Sequence, residues 1–247
     1  MQKLDPVDVL ICSPHPDDEV IGCSGVIQQA LAAGRRVRIV FSTSGDAYPR
    51  AAATLLKKEV SDLTPADMQS LGRTREGEAV AAAKVLGLGA GDLVFLRYPD
   101  AGMATLPPEL RARAEGDMRR VFEESRPSRV YVTDHADEHP DHQVTNELVF
   151  KAARGAEYEG DLFTFVVHAG GDVHWPTRGA LFESTKVDGV EYPEGLQWPP
   201  PIRLHLTERE VEMKRRALTA HASQWTLDNK YLGKFAKTEE IFWPHTL

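Results

Sequence analysis

The sequence predicts an α/β fold, a mostly parallel sheet with helices on both of its faces. Short apolar runs rich in β-branched residues alternate with longer helical stretches, the pattern of consecutive βαβ units. Two clusters of His and Asp each follow one of those runs directly. Open α/β sheets place their ligand sites at such carboxyl ends of strands.

The elements follow in order. Residues 7–12 (VDVLIC) form an apolar run that ends in Ser-Pro and reads as a buried strand. Residues 19–33 read as a helix stopped by Gly34. A second strand spans 36–43 (RVRIVFST). Residues 44–67 carry Gly45, Pro49 and Pro65 and read as a loop over the strand ends. An Ala- and Glu-rich helix covers 70–86, and a third strand covers 93–96. Residues 107–125 form a helix with Pro107 and Pro108 suited to its first turn. A fourth strand at 130–133 leads into the second His/Asp cluster, and a helix follows over 142–154. The fifth strand is 162–167 (LFTFVV). Residues 170–201 break the rhythm with five prolines and two tryptophans, an irregular excursion suited to substrate or subunit contacts. A late strand at 202–206 and a helix at 208–220 close the series.

The whole, residues 1–247, reads as a single domain, long enough for a sizeable core. Its formal net charge of −8 argues against a nucleic-acid footprint. Two cysteines, Cys12 and Cys23, exclude a four-cysteine zinc site and read as small buried hydrophobes. No apolar run approaches the roughly 20 residues that span a bilayer. The first residues lack the basic segment and apolar core of a signal peptide. A cytoplasmic, reducing location is the expectation.

The first cluster is PHPDDE, Pro14 to Glu19, where the first strand meets the first helix. The second is Asp137-Glu138-His139-Pro140-Asp141-His142, after the fourth strand. The sheet offers a way to join residues 124 apart (142 − 18). Catalytic zinc takes three ligands from His, Asp or Glu and keeps one position for water, whose pKa it lowers toward about 7. The clusters supply such donors and leave carboxylates and a His for proton transfer. Each cluster alone could instead be a capped turn, with Asp17 or Asp18 as helix N-cap. Their joint placement after strands of one sheet favours the metal reading.

PHPDDE followed by HPDH resembles the LmbE/PIG-L family of metal-dependent N-acetylglucosamine deacetylases. Further stretches are similar: Arg75-Glu76-Gly77-Glu78 with its helix, LRYPDAG at 96–102 and KRRALTAHASQ at 214–224. The resemblance implies an LmbE-like, Rossmann-like three-layer sandwich. It implies a Zn²⁺ site, which Fe²⁺ can also occupy, held by His15, Asp18 and His142. Asp17 is the implied general base. His139 is implied to stabilise the oxyanion or to protonate the leaving amine, with Asp141 orienting it. Arg75 and Asp100 are implied substrate contacts. Arg75 could otherwise be an exposed helical residue paired with Glu78, and Asp100 could simply close the Pro99–Gly102 turn. Glu19 reads as a first-turn residue favoured by the helix dipole. His221 is open between a structural and a family role. His168, His174 and Trp175 fall in or beside the irregular stretch, where an aromatic could stack on a sugar.

The expected reaction is removal of an N-acetyl group from an N-acetylglucosamine-type conjugate, a small-molecule substrate, by metal-bound water. A homo-oligomer is compatible with the resemblance. A deacylase acting on a non-sugar amide is the nearest alternative. A non-haem iron oxygenase shares the two-His, one-carboxylate donor set but usually sits on a β-barrel. A non-catalytic sugar-binding module would need an incomplete site.

Overall fold

The protein is described by a computed structural model at residues 3–168, 201–227 and 232–247. Among the described residues the sheet has seven strands in the order β3-β2-β1-β4-β5-β7-β6. The strands are β1 (Val9–Ser13), β2 (Val37–Thr43), β3 (Leu93–Tyr98), β4 (Arg129–Thr133), β5 (Asp161–Phe165), β6 (Ile202–His205) and β7 (Glu239–His245). The first five pair in parallel, with Ile11 beside Ile39 on one side and Tyr131 on the other. β7 runs antiparallel to both of its neighbours, β5 and β6.

Successive residues of a strand point to opposite faces, so a strand covered on both sides reads as one apolar run. In β1, Val9 and Ile11 enter one core with Val20 and Ile27 of helix α1 (Asp18–Ala32), and with Ala79 and Ala83 of α3 (Pro65–Leu86). Leu10 and Cys12 enter the other, with Met118 and Phe122 of α4 (Pro108–Ser125) and Leu148 of α5 (Pro140–Gly155). The result is the expected Rossmann-like three-layer sandwich. Cys12 and Cys23 are buried, one in each core, and burial pushes both thiols well up from their ordinary pKa.

The chain leaves β1 toward β2 and β3 on one side, then returns to β4 and β5 on the other. The strand order therefore reverses between β1 and β4. Their carboxyl ends flank the crevice that this topology opens. Both His/Asp clusters hang from those two strands.

Residues 44–67 depart from the expected loop. They contain helix α2 (Pro49–Leu56) and the start of α3. Thr64 and Asp67 form a reciprocal capping box, and Pro65 occupies the first turn, so α3 begins five residues before the expected 70. α5 begins at Pro140 because the His139 side chain accepts the Asp141 N–H at its N-cap. β7 was not anticipated. The expected irregular excursion at 170–201, with His174 and Trp175, lies outside the described residues except for Pro201.

The late helices α6 (Glu208–Ala220) and α7 (Ala222–Trp225) pack beside α1 and α3. Lys214 of α6 is fully buried; its Nζ donates to Ile21 O at 2.7 Å and to Glu240 Oε1 at 2.8 Å. Glu240 of β7 also accepts Ser24 Oγ at 3.1 Å and Gly25 N at 2.9 Å, both on α1. This pair joins α6, α1 and β7 at one point. Gly22 lets α1 approach β5, since a Cβ there would stand 2.3 Å from the Phe165 ring.

Removing one partner of a buried ion pair strands the other charge, at a cost of roughly 3–5 kcal/mol. Lys214→Met is therefore expected to lower the urea-unfolding free energy by about that amount. A loss under about 1 kcal/mol, typical of exposed pairs, would refute this role for Lys214.

Candidate metal centre and active site

The loop after β1 is pinned to its neighbour. Thr43, at the end of β2, donates both N–H and Oγ1 to Pro14 O, at 3.0 and 3.1 Å. His15 and Asp18 follow, on the entry to α1. Asp18 Oδ2 accepts His15 N at 3.0 Å and lies 3.2 Å from His15 Nδ1. It also lies 3.2 Å from His142 Nε2, which β4 and α5 bring in from the second cluster. His142 Nε2 and His15 Nδ1 are 3.3 Å apart. Three donor atoms thus form a nearly equilateral triangle.

That triangle fits a metal ion. Tetrahedral ligands at about 2.0–2.1 Å from a zinc ion stand about 3.3–3.4 Å from one another. Other groupings within 4.8 Å put His139 in place of Asp18, join His142 to Asp137 and His168, or join His15 to Asp100 and Asp141. The added groups are already engaged. His139 Nδ1 accepts Asp141 N at 3.2 Å, and Asp141 accepts Ala101 N at 2.7 Å and Met103 N at 3.1 Å. His15, Asp18 and His142 bring three donor atoms within 3.3 Å of one another.

The outer nitrogens of both imidazoles face carboxylates. His15 Nε2 lies 3.0 Å from Asp100 Oδ1 and 3.3 Å from Asp141 Oδ2. His142 Nδ1 lies 3.1 Å from Asp137 Oδ2, an ion-pair distance without hydrogen-bond alignment. Such partners fix which ring nitrogen carries the proton and which offers a lone pair. Burial lowers the pKa of both rings, but the carboxylates outweigh it. His15 ends well above its ordinary value through Asp100, Asp141 and Asp18, and His142 is raised to about 9 by Asp137 and Asp18. Asp18, despite burial, is held well below its ordinary value by His142 and His15. The site is built to hold positive charge.

Asp17 sits beside the triangle at φ 143° and ψ −31°, a backbone region that favours glycine. Non-glycine residues held in sparse regions of this kind carry about 1–3 kcal/mol of strain and cluster at functional sites. Its Oδ2 accepts Arg75 Nη2 at 3.0 Å. Burial raises its pKa to about 6; Arg75 opposes that and Asp18 adds to it. Arg75 is itself buried. Its Nη2 also donates to Pro16 O, and its Nη1 to Gly45 O, both at 2.8 Å. It is not paired with Glu78, which instead accepts Ser223 N at 2.8 Å. Gly45 has φ +65°, and a Cβ there would stand 2.2 Å from Arg75 Nη1, so this fork needs glycine.

Asp141 differs from expectation. Its carboxylate turns to His15 and to the Ala101 and Met103 amides, not to the His139 ring, which meets only its backbone N–H. Asp141 is the second residue of α5 and His139 the N-cap, and side chains two apart on a helix do not face each other. Asp100 also differs. Besides His15 it accepts Ala47 N at 2.5 Å, so it braces the site as well as lining it. Burial raises the Asp100 pKa, but the His15 contact holds it well below the ordinary range.

His139 is half-buried, its ring centroid 4.6 Å from that of His15. Burial, then the neighbouring imidazoles, lower its pKa to about 4. With Nδ1 accepting the Asp141 N–H, the neutral ring carries its proton on Nε2. Two residues to which the sequence assigns no role at the donor triangle also stand beside it. Asp137 is fully buried and accepts Val167 N at 2.7 Å, His168 N at 2.9 Å and His139 N at 3.0 Å. His168 follows β5, with its ring centroid 4.8 Å from that of His142. Asp137 carried a signal, a carboxylate in the same strand-end loop as a ligand His. His168 carried none.

A cavity of about 320 Å³ opens over these groups, lined among others by His15, Asp17, Asp18, Arg75, Asp100 and His139. Tyr48 and His168 join its wall. Asp141 and His142 lie behind it, fully buried. Asp17 and His139 both line this one cavity, beside the donor triangle.

The family model described as PIG-L: GlcNAc-PI de-N-acetylase matches residues 10–153, which include both clusters. A glucosamine-6-phosphate deaminase-like protein of Bacteroides thetaiotaomicron is 24% identical over 96% of this chain and 38% of its own length. A 1D-myo-inositol 2-acetamido-2-deoxy-alpha-D-glucopyranoside deacetylase of Kribbella flavida is 30% identical over 62% of this chain and 55% of its own. The chain thus spans about half the length, or less, of these relatives. A solved deacetylase of teicoplanin biosynthesis superposes with a TM-score of 0.69 at 20% identity, covering 96% of this chain and 97% of that one. That likeness shows the fold. The matched model covers more than half of the sequence and both clusters, and so the chain belongs to the PIG-L, or LmbE-like, family of de-N-acetylases.

Proposed function

We propose that this protein is a zinc-dependent hydrolase that removes the N-acetyl group from an N-acetylglucosamine-type sugar conjugate. The observation that carries this reading is the donor triangle of His15 Nδ1, Asp18 Oδ2 and His142 Nε2, with 3.2–3.3 Å edges, beside the Asp17 carboxylate. When bound, a zinc or ferrous ion supplies a Lewis acid that acidifies water and polarises a carbonyl.

The protein's own groups do the rest. Asp100 and Asp141 hold the His15 proton on Nε2, which leaves Nδ1 as a lone-pair donor. Asp137 does the same for His142 through Nδ1. Asp17 has Oδ2 engaged by Arg75 and so takes up the proton of the attacking water at Oδ1. Its pKa near 6 leaves it ionised at neutral pH, yet basic enough to accept. His139 Nε2–H donates to the oxygen that becomes an oxyanion as the amide carbon turns tetrahedral. The proton held by Asp17 then passes to the leaving amine, and acetate and a free amino sugar result. Arg75 and Asp100 line the cavity and are proposed to meet substrate hydroxyls there, with Arg75 also steering Asp17.

The deacetylase named among the relatives supports an inositol-linked N-acetylglucosamine as one substrate to try. No helix of the described residues is long and apolar enough to cross a membrane.

Metal-stripped protein should release acetate from N-acetylglucosamine conjugates only after zinc or ferrous iron is restored. Release equally fast from acetylated amines without a sugar would leave the amide chemistry and overturn the sugar. Asp17→Asn is expected to keep one metal per chain and lose about 10²–10⁴-fold in kcat; undiminished turnover would remove Asp17 as base. Asp137→Asn should weaken metal affinity about 10–100-fold, as loss of an outer-shell partner does. That is read by competition with a chelator, and an unchanged affinity would exclude the role given to Asp137.

A further inference from the structure

Asp17 holds φ 143° without a glycine's freedom and makes no side-chain cap bond to its own helix. Something else must hold that backbone. The Pro16–Asp17 peptide is gripped at both polar atoms. Arg75 Nη2 donates to Pro16 O at 2.8 Å, and Asp17 N donates to Glu19 Oε2 at 2.9 Å. Glu19 is 1% exposed, an unusual place for a first-turn carboxylate. Its other oxygen, Oε1, makes no hydrogen bond and stands 3.4 Å from Nε2 of His221.

His221 is fully buried at the junction of α6 and α7, and neither ring nitrogen makes a hydrogen bond. Two residues on, Ser223 donates N–H and Oγ–H to Glu78 of α3, at 2.8 and 2.7 Å. The junction is therefore anchored to α3, and His221 is presented to Glu19 from a fixed frame. Glu78 and Arg75 lie three apart on that same helix, so α3 secures both grips on the peptide.

We propose that Glu19 is a positioning residue, buttressed by His221, that holds the Asp17 N–H and so keeps the Asp17 backbone in the left-handed region that turns its carboxylate toward the cavity. This rests on the reading of Asp17 as base. The geometric part stands apart from it. A carboxylate buried to accept one strained N–H, with an imidazole placed behind it, exceeds what a helix-dipole contact requires.

Three variants test this. Glu19→Met removes the acceptor without opening a cavity, Glu19→Ala removes it by a second route should the first not fold, and Glu19→Gln keeps a neutral oxygen acceptor. Crystal structures, metal per chain and steady-state kinetics are measured for each zinc-loaded protein. In the acceptor-free variants the Asp17 φ is expected to relax to a negative value. Metal stoichiometry and KM should stay near wild type, while kcat falls on the order of 100-fold, as for a misplaced reacting group. Glu19→Gln should retain the positive φ and most of the turnover. A positive Asp17 φ in both acceptor-free variants overturns the proposal, as does unchanged kcat, or a kcat loss that merely tracks metal loss. Should wild-type protein release no acetate from any conjugate, the functional reading fails, while the φ comparison still decides the role of Glu19.

Discussion

Three lone-pair donors stand within 3.3 Å of one another at the carboxyl end of the sheet, out of bulk water. With the outer nitrogens protonated toward their carboxylates, protonating both inner nitrogens would charge both imidazoles. Two imidazolium rings would then sit edge to edge in a buried site. One divalent cation supplies the same charge and meets all three donors at once. Four aspartates, Asp18, Asp100, Asp137 and Asp141, surround the two rings, and each is buried or nearly so. Their desolvation is tolerable because the centre is positive. The imidazoles and the carboxylates form one electrostatic unit, in which removing one charge would strand the others in a buried site.

The sheet topology makes that unit possible. β1 and β4 are neighbours, yet the chain departs from them in opposite directions, so their ends leave a crevice free of crossing connections. Each strand delivers one cluster to it. Apolar residues on both faces of β1 and β4 fix the strands between two helical layers. The loops at their ends therefore emerge from a rigid frame, which is what a constellation with tolerances of about 0.5 Å needs. Asp17 shows the other side of the same design, a strained residue carried on a well-supported turn.

The parts legible in the sequence were those written in local pattern. Six strands and five long helices could be read from apolar periodicity, and PHPDDE and HPDH from their place after strands. His15, Asp18 and His142, the residues to which the family resemblance pointed, stand side by side at the carboxyl end of the sheet. What could not be read depends on distant contacts or on side-chain direction. Nothing near Arg75 signals that its fork reaches Gly45 and Pro16, 30 and 59 residues away. Asp141 adjoins His139 and His142 in sequence, but the helix start swings its carboxylate to His15. Helix α2 lay hidden because Gly45 and Pro49 suggested a loop, although Pro49 occupies a first turn, where proline is well suited. β7 ends in Pro-His, which reads poorly as a strand although Pro244 pairs beside Phe163 at one end of the ladder.

The Lys214–Glu240 pair bears on how the molecule is made. The family match ends at residue 153, yet α1, which carries Asp17 and Asp18 at its start, is fastened by groups at positions 214 and 240. A ribosome adds about 5–20 residues per second. For the seconds between emergence of the HPDH cluster and emergence of Glu240, the nascent chain carries both clusters while α1, which begins at the first of them, lacks the final partners of its Gly25 amide and Ile21 carbonyl. The last strand then sets the helix that begins at Asp18, so the geometry of the first cluster is completed by the end of the chain rather than by its own neighbourhood.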